Sequence, residues 1–205
     1  FDDEGNWVEA ETGPMITFDK DESVRAGTTM EGLAKLRPVG GIVSHDNQEL
    51  RITAGNSCPT NSGVATVLMM AEEKALELGL EPLARMVGWG NGGVKQQIMG
   101  VGPVVSTKKA LRHAGLEPGQ IDRVEFNEAF AAQVIPTLKE VGIPEENVNV
   151  NGGSIGIGHP IGATGCRMAM TLCKELRRSG KRYGLITQCI GAGQGATTIF
   201  ENVDY

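Results

Sequence analysis

The chain has few cysteines, no long apolar run and no surplus of positive charge, and each shortage excludes a class of function. Four cysteines stand among its 205 residues, Cys58, Cys166, Cys173 and Cys189. They lack the close paired spacing of zinc ligands, so no metal site is expected, and they are too few to staple a domain of this size. They are read as reduced thiols. No apolar run approaches the length of a bilayer span, so no membrane partner is expected. The opening residues Phe1-Asp2-Asp3-Glu4-Gly5 carry neither the basic nor the apolar part of a secretory signal, which points to a cytoplasmic location. Nineteen basic against 25 acidic residues give a formal charge of −6. Such a balance argues against a general nucleic-acid or anionic-membrane surface, while leaving room for a local basic site facing a phosphate-bearing ligand. An initiator methionine is lacking too, and the expectation is a fragment, a processed product or an excised part.

What is present is an ordinary globular composition, 40% hydrophobic and 21% charged. It can bury a sizeable core and suits one large domain or one and a half ordinary ones. Residues 1–50 show charge clusters and one apolar-basic stretch, Leu33-Ala34-Lys35-Leu36-Arg37-Pro38, and read as an irregular, loop-rich subdomain. Residues 62–70 are apolar and partly β-branched, and predict a buried strand. Residues 71–79 then have helical spacing and stop at Gly79.

Beyond Pro82 the pattern cycles. Strands are predicted at 85–89, 123–126, 148–150, 183–188 and 196–200. Helices are predicted between them: one capped by Ser106 and running through Ala110, Leu111 and Ala114, one over 129–141 kinked at Pro136, and one over 162–178 stopped by Gly180. Cys166 and Cys173 fall seven apart in this last helix, where they should pack as small apolar groups. Alternation of this kind implies a layered α/β domain, and the short turn between the final two strands implies antiparallel neighbours.

Strand ends are where layered folds place chemistry. Asn127 lies at the end of one predicted strand. His159 follows the next, in the turn Gly156-Ile157-Gly158-His159-Pro160-Ile161-Gly162. Cys189 ends the one after, opening the turn Cys189-Ile190-Gly191-Ala192-Gly193-Gln194-Gly195. Glycines let backbone amides approach a ligand closely, so two such turns bearing a histidine and a cysteine suggest acyl chemistry on a carbonyl. A dinucleotide site is the competing reading of the first turn, but the acidic ribose partner is missing from its expected place. His159 taken alone could equally be a buried structural histidine. His45 and His113 sit in polar surroundings and read as surface residues, and Asp19-Lys20-Asp21-Glu22 reads as a solvated face.

Three blocks carry a family resemblance: Asn127-Glu128-Ala129-Phe130-Ala131-Ala132-Gln133, then the stretch from Asn149 to Gly165 containing Gly158-His159-Pro160, then Cys189 to Gly195. In order and spacing they resemble the signature blocks of the C-terminal half of thiolases, acyl-CoA:acetyl-CoA acyltransferases. Upstream, Lys35-Leu36-Arg37-Pro38 and Thr53-Ala54-Gly55-Asn56 look like the thiolase loop domain and its CoA-facing turn. The resemblance implies a thiolase fold, a layered α/β/α arrangement on a mixed sheet, comprising the C-terminal half plus part of the loop domain. Residues 1–60 would end the loop domain, 61–81 would close the N-terminal domain, and 82–205 would form the C-terminal domain.

The roles implied are those of the family. His159 would activate a nucleophilic cysteine and lend a ring N–H to an oxyanion hole in which Asn127 holds a water. Cys189 would move protons to and from the acetyl carbon or the departing CoA, and the amide of Gly191 would line a second oxyanion hole. A free thiol near pKa 8.5 is a poor base at neutral pH, so the family role asks for an electropositive turn at Cys189. Coenzyme A or acyl-CoA enters as substrate, with no covalently bound cofactor. Arg25 would lie near its adenine and phosphates, and Ala54, Cys58, Ala129 and Phe130 near its pantetheine arm.

Departures from the family pattern include Cys58 for a serine, Thr60 for a bulkier apolar residue, Ser62 for an aspartate, Ala192 for a glycine, and a longer insert between Pro38 and Thr53. No segment resembles the block that carries the family's acyl-bearing cysteine, and Cys58, followed by Pro59, is a poor substitute. The resemblance therefore implies a partner, an N-terminal thiolase half or subunit supplying that cysteine, within an oligomer. Alone the chain should be inactive. The alternative is a non-catalytic thiolase-fold subunit that binds acyl-CoA or stabilises a partner enzyme.

Overall fold

The structure, a computed structural model, describes residues 2–6, 14, 16–21, 23–39 and 51–204. His45, Glu22 and most of the insert after Pro38 lie outside them. Four strands form one mixed sheet: β1 (Ala84–Gly93), β2 (Arg123–Phe126), β3 (Tyr183–Ile190) and β4 (Gln194–Asn202), in the order β1-β4-β3-β2. β4 runs antiparallel to both β1 and β3, with Cys189 opposite Gly195, and β2 runs parallel to β3. Six α-helices accompany the sheet among the described residues: α1 (Met30–Ala34), α2 (Glu72–Glu77), α3 (Gly102–Ala114), α4 (Ala131–Val141), α5 (Ser154–Ile157) and α6 (Thr164–Ser179).

Alternation along β2 shows which helix covers which face. Val124 and Phe126 join Leu185 and Ile199 in a core closed by Ala110 and Leu111 of α3 and by Leu138 and Val141 of α4. The intervening residues point the other way: Arg123 pairs with Glu175, and Glu125 with Arg167, both on α6. Helices on both faces of a mixed sheet make the α/β layering expected from the cycling pattern. Close approach of α3 depends on Gly90, where a Cβ would stand 2.4 Å from the Ser106 carbonyl oxygen and 2.6 Å from the Ala110 nitrogen. A side chain there would collide with helix backbone.

The final hairpin, β2, and the long helix ended by Gly180 in the left-handed region (φ 60°) lie where the pattern places them. Four expectations change. Ser106 caps nothing: α3 begins four residues earlier, with Pro103 in its first turn, and the buried Ser106 hydroxyl shares a 2.7 Å hydrogen bond with Thr197 of β4. The helix predicted from 129 begins at Ala131, because Phe130 is extended (φ −145°) and precedes it; Pro136 lies inside. Residues 148–150 amount to one bridge, Val124 with Val148, followed by a bond from the Asn149 N–H to the Val124 carbonyl. Finally, the apolar run 62–70 is neither paired nor buried, with Val64 95% and Leu68 76% exposed. A strand needs a neighbour for its backbone groups, and no described residue supplies one.

Cys173 is buried, which pushes its thiol up to about 11, while Cys166 is half-buried. No helix among the described residues is long and apolar enough to cross a membrane.

Candidate active site

Three chain segments meet at the C-terminal end of β2. Asn127 follows the strand directly, and its N–H bonds to the Thr187 carbonyl of β3 at 2.9 Å, so the ends of β2 and β3 are locked side by side. Cys189 lies two residues further along β3, half-buried, before the turn in which Ala192 (φ 66°) and Gly193 (φ 85°) take left-handed backbone. Gly193 needs that conformation and also the space, since a Cβ would sit 2.5 Å from the Val94 carbonyl oxygen. Gly191, the proposed oxyanion donor, is exposed in the same turn, its carbonyl accepting from the Gln194 side chain at 3.1 Å.

His159 comes from the second segment, just after α5. Glu128 fastens that helix to the Asn127 block: its carboxylate accepts from the Ile155 N–H at 3.0 Å and from the Asn149 amide at 2.6 Å. The imidazole then spans two partners, Thr164 Oγ1 at 2.7 Å from Nδ1 and Asn127 Nδ2 at 3.3 Å from Nε2. Asn127 is fully buried and its Oδ1 accepts from the Ser154 hydroxyl at 2.7 Å. Burial first, and then the charge of Arg167, hold the His159 ring below its ordinary pKa. It is therefore neutral near pH 7 and able to accept a proton.

The third segment, 56–61, binds both others. The Asn56 carbonyl accepts from the Ala131 N–H at 2.9 Å, the Cys58 N–H donates to the Ala129 carbonyl at 3.1 Å, and Ser57 bridges Phe130. Further along, Thr60 bridges His159, whose N–H donates to Asn61 Oδ1 at 2.9 Å. Cys58, Ala129 and Phe130 are thus brought together beside the His159 turn. Burial raises the Cys58 thiol pKa and outweighs the lowering effect of a backbone hydrogen bond, so Cys58 is held as a thiol rather than a nucleophilic thiolate. Beside this segment a cleft of about 460 Å³ opens between Phe18, Asp19, Lys20, Asp21 and Ser23 on one side and Asn61 and Ile157 on the other.

Two more of the residues assigned to CoA are exposed in turns. Ala54 is exposed in the turn before Asn56, and Arg25 is exposed in a separate turn, with no hydrogen bond from its side chain to another described residue. His113 is exposed, as expected, with its ring edge-on to Trp89 at 3.9 Å between centroids. Asn61, Ser154, Thr164 and Arg167 hold the histidine and its asparagine, and sequence reasoning assigned a role to none of them. Thr164, five residues after His159 at the start of a helix, is the one whose position carried a signal. Among the described residues no group of His, Cys, Asp and Glu side chains is arranged to hold a metal ion.

Residues 80–202 match the family described as thiolase, C-terminal domain, and residues 5–73 that described as thiolase, N-terminal domain. Among similar curated proteins, an acetyl-CoA acetyltransferase of Chromobacterium violaceum is 46% identical over 92% of this chain and 47% of its own length. A 3-ketoacyl-CoA thiolase of Bacillus subtilis is 45% identical over 91% and 46% respectively. Among solved structures, the Bacillus anthracis acetyl-CoA acetyltransferase superposes with a TM-score of 0.83 at 41% identity, over 95% of this chain and 48% of that one. Human mitochondrial 3-ketoacyl-CoA thiolase in complex with CoA gives 0.79 at 39% identity, over 91% and 46%. The chain spans about half the length of the curated relatives it matches. It has the thiolase fold and belongs to the thiolase family.

Proposed function

We propose that this chain supplies His159, Asn127 and Cys189 to an enzyme that moves acyl groups between CoA thioesters, and that the acyl-carrying cysteine comes from an N-terminal thiolase half or subunit. One observation carries the reading: the neutral His159 ring is bonded to the buried Asn127 amide at the end of β2, with Cys189 at the end of the adjoining strand. A binding module has no use for a base, an amide donor and a thiol at neighbouring strand ends.

In the thiolysis direction, His159 takes the proton of the partner's cysteine, whose thiolate attacks the 3-keto carbonyl of the substrate. Oxyanion charge is then met by the imidazolium N–H and by the Asn127 amide or a water it holds. Collapse breaks the bond between the α and β carbons and the acetyl-CoA carbanion takes a proton from Cys189; a CoA thiol then gives its proton to the Cys189 thiolate and attacks the acyl group, and the released cysteine recovers its proton from His159. Condensation of two acetyl-CoA molecules runs through the same groups in reverse. The amide of Gly191 serves the thioester oxygen of the acetyl unit. Cys58, Ala129 and Phe130 line the pantetheine side, and Ala54 and Arg25 approach CoA from the loop residues. The division into 1–60, 61–81 and 82–205 follows from the same reading, since the exposed apolar run 62–70 is a surface that an N-terminal half would cover.

The test is acetoacetyl-CoA cleavage by the chain alone and with a thiolase N-terminal half. Activity that requires both parts, and disappears in Cys189→Ala, supports the proposal. Absence of cleavage with the partner, together with unchanged CoA binding in Cys189→Ala, overturns it in favour of a non-catalytic subunit that binds acyl-CoA.

A further inference from the structure

A continuous line of hydrogen bonds runs from Glu125 through Asn127 to His159 and on to the Pro160 carbonyl. The Arg167 guanidinium bonds Glu125 Oε2 at 3.3 Å through Nη1 and the Ser154 hydroxyl at 3.2 Å through Nη2. Ser154 Oγ is 2.7 Å from Asn127 Oδ1, Asn127 Nδ2 is 3.3 Å from His159 Nε2, His159 Nδ1 is 2.7 Å from Thr164 Oγ1, and Thr164 Oγ1 is 3.0 Å from the Pro160 carbonyl. Ser154, Asn127 and Thr164 are all fully buried, so solvent does not compete for the Ser154–Asn127 bond at the centre of the line.

One set of directions satisfies every partner along this line. Arginine only donates, so Ser154 accepts from it and keeps its single hydroxyl proton for Asn127 Oδ1, 2.7 Å away. The atom of Asn127 facing Ser154 is then the carbonyl oxygen, and the NH₂ faces His159. An amide NH₂ only donates, so Nε2 is the unprotonated ring nitrogen and Nδ1 carries the hydrogen. From the other end, the Thr164 proton goes to the Pro160 carbonyl, so Thr164 accepts from Nδ1–H. Both ends select the same tautomer.

We propose that Ser154, oriented by Arg167, is a positioning residue that holds the Asn127 amide with its NH₂ toward His159 and so keeps Nε2 the unprotonated ring nitrogen, the one able to take a proton. With alanine at 154 the Asn127 oxygen loses its donor, and the amide can turn to accept from an Nε2–H tautomer in which the base is spent. The catalytic consequence rests on the function proposed above. The tautomer does not, because it is a ground-state property of the protein.

Nitrogen-15 spectroscopy of the imidazoles reads it directly, and with three histidines in the chain the His159 signals are assigned by their loss in His159→Gln. In the unmodified protein Nδ1 is expected at the protonated position and Nε2 at the unprotonated one. In Ser154→Ala the Nε2–H share should rise several-fold, and in Ser154→Thr, which keeps the hydroxyl, it should return. An Nε2–H tautomer in the unmodified protein overturns the proposal even if the alanine variant fails to fold, as does a folded Ser154→Ala with the original nitrogen positions. Should the tautomer respond as expected while cleavage never appears with a partner half, the positioning role stands and the acyl-transfer reading falls.

Discussion

His159 and Glu125 stand at two ends of one hydrogen-bonded line, separated by Asn127, Ser154 and Arg167, and respond oppositely to pH. The His159 pKa is lowered from 6.5, chiefly by burial. Its neutral form is favoured by folding, so the stability it contributes is complete above 6.5 and is lost as pH falls through the folded value. In the assembled enzyme the acid limb of kcat/KM should therefore lie below 6.5, and a limb above that value would remove His159 as the base. Glu125 is the reverse: burial pushes it from 4.5 up to about 7 against the pull of Arg167. Between those values the folded protein keeps a proton that the unfolded chain has released. Stability should then decline with rising pH across that window, by on the order of 1.4 kcal/mol per unit from this group. Urea unfolding of Glu125→Gln against the unmodified protein at pH 5 and 7 isolates the term; equal pH slopes in the two would refute it. His159→Ala should lower kcat by about 10²–10³, the usual effect of losing one oxyanion donor, with the protein still folded by circular dichroism. His159, Asn127 and Cys189 were legible because each stands in a short local motif. Their supporting residues were not: Ser154 and Arg167 reach Asn127 and Glu125 across 27 and 42 positions of chain, and nothing local to a serine or an arginine reveals so distant a partner.

Elements were legible where hydrophobic periodicity and glycine stops agreed, as in α6, whose buried Met168, Leu172 and Leu176 fall four apart before Gly180. They were illegible where a tertiary neighbour decides the outcome. α3 starts at Gly102 because only glycine fits there, a Cβ lying 2.3 Å from the Gln194 carbonyl oxygen of β4, and the capping pattern at Ser106 gives way to that contact. The face of β1 that meets α3 follows the same logic. Gly90→Ala should destabilise the protein by about 1–3 kcal/mol, because helix backbone must move aside. Gly119→Ala, whose added Cβ would meet nothing within 4 Å, should be nearly neutral. The comparison is made by the urea midpoint at constant m-value; equal midpoints would mean that α3 does not press on β1 as closely as described.

At the scale of the molecule, the apolar run 62–70 is the element whose prediction failed most completely, and its failure is informative. Val64, Leu68 and Met69 are 95%, 76% and 62% exposed, adjoining the segment 56–61 that braces His159. β-branched and apolar residues in this density predict a buried strand, and a buried strand needs both a pairing edge and a covering layer; the described residues offer it neither. A surface of this kind marks an association site. An N-terminal thiolase half is the occupant that fits the proposed function, since it would supply strand neighbours and the missing cysteine together. Burying a leucine or methionine side chain contributes about 1.5–3 kcal/mol, so placing carboxylates at both positions in Leu68→Asp/Met69→Asp should weaken association with that half by about 10²-fold or more. Light scattering after size exclusion, with and without the N-terminal half, measures it. Equal complex formation by the variant and the unmodified chain, with circular dichroism unchanged in both, would mean that this run lies outside the interface and that the cysteine donor docks elsewhere.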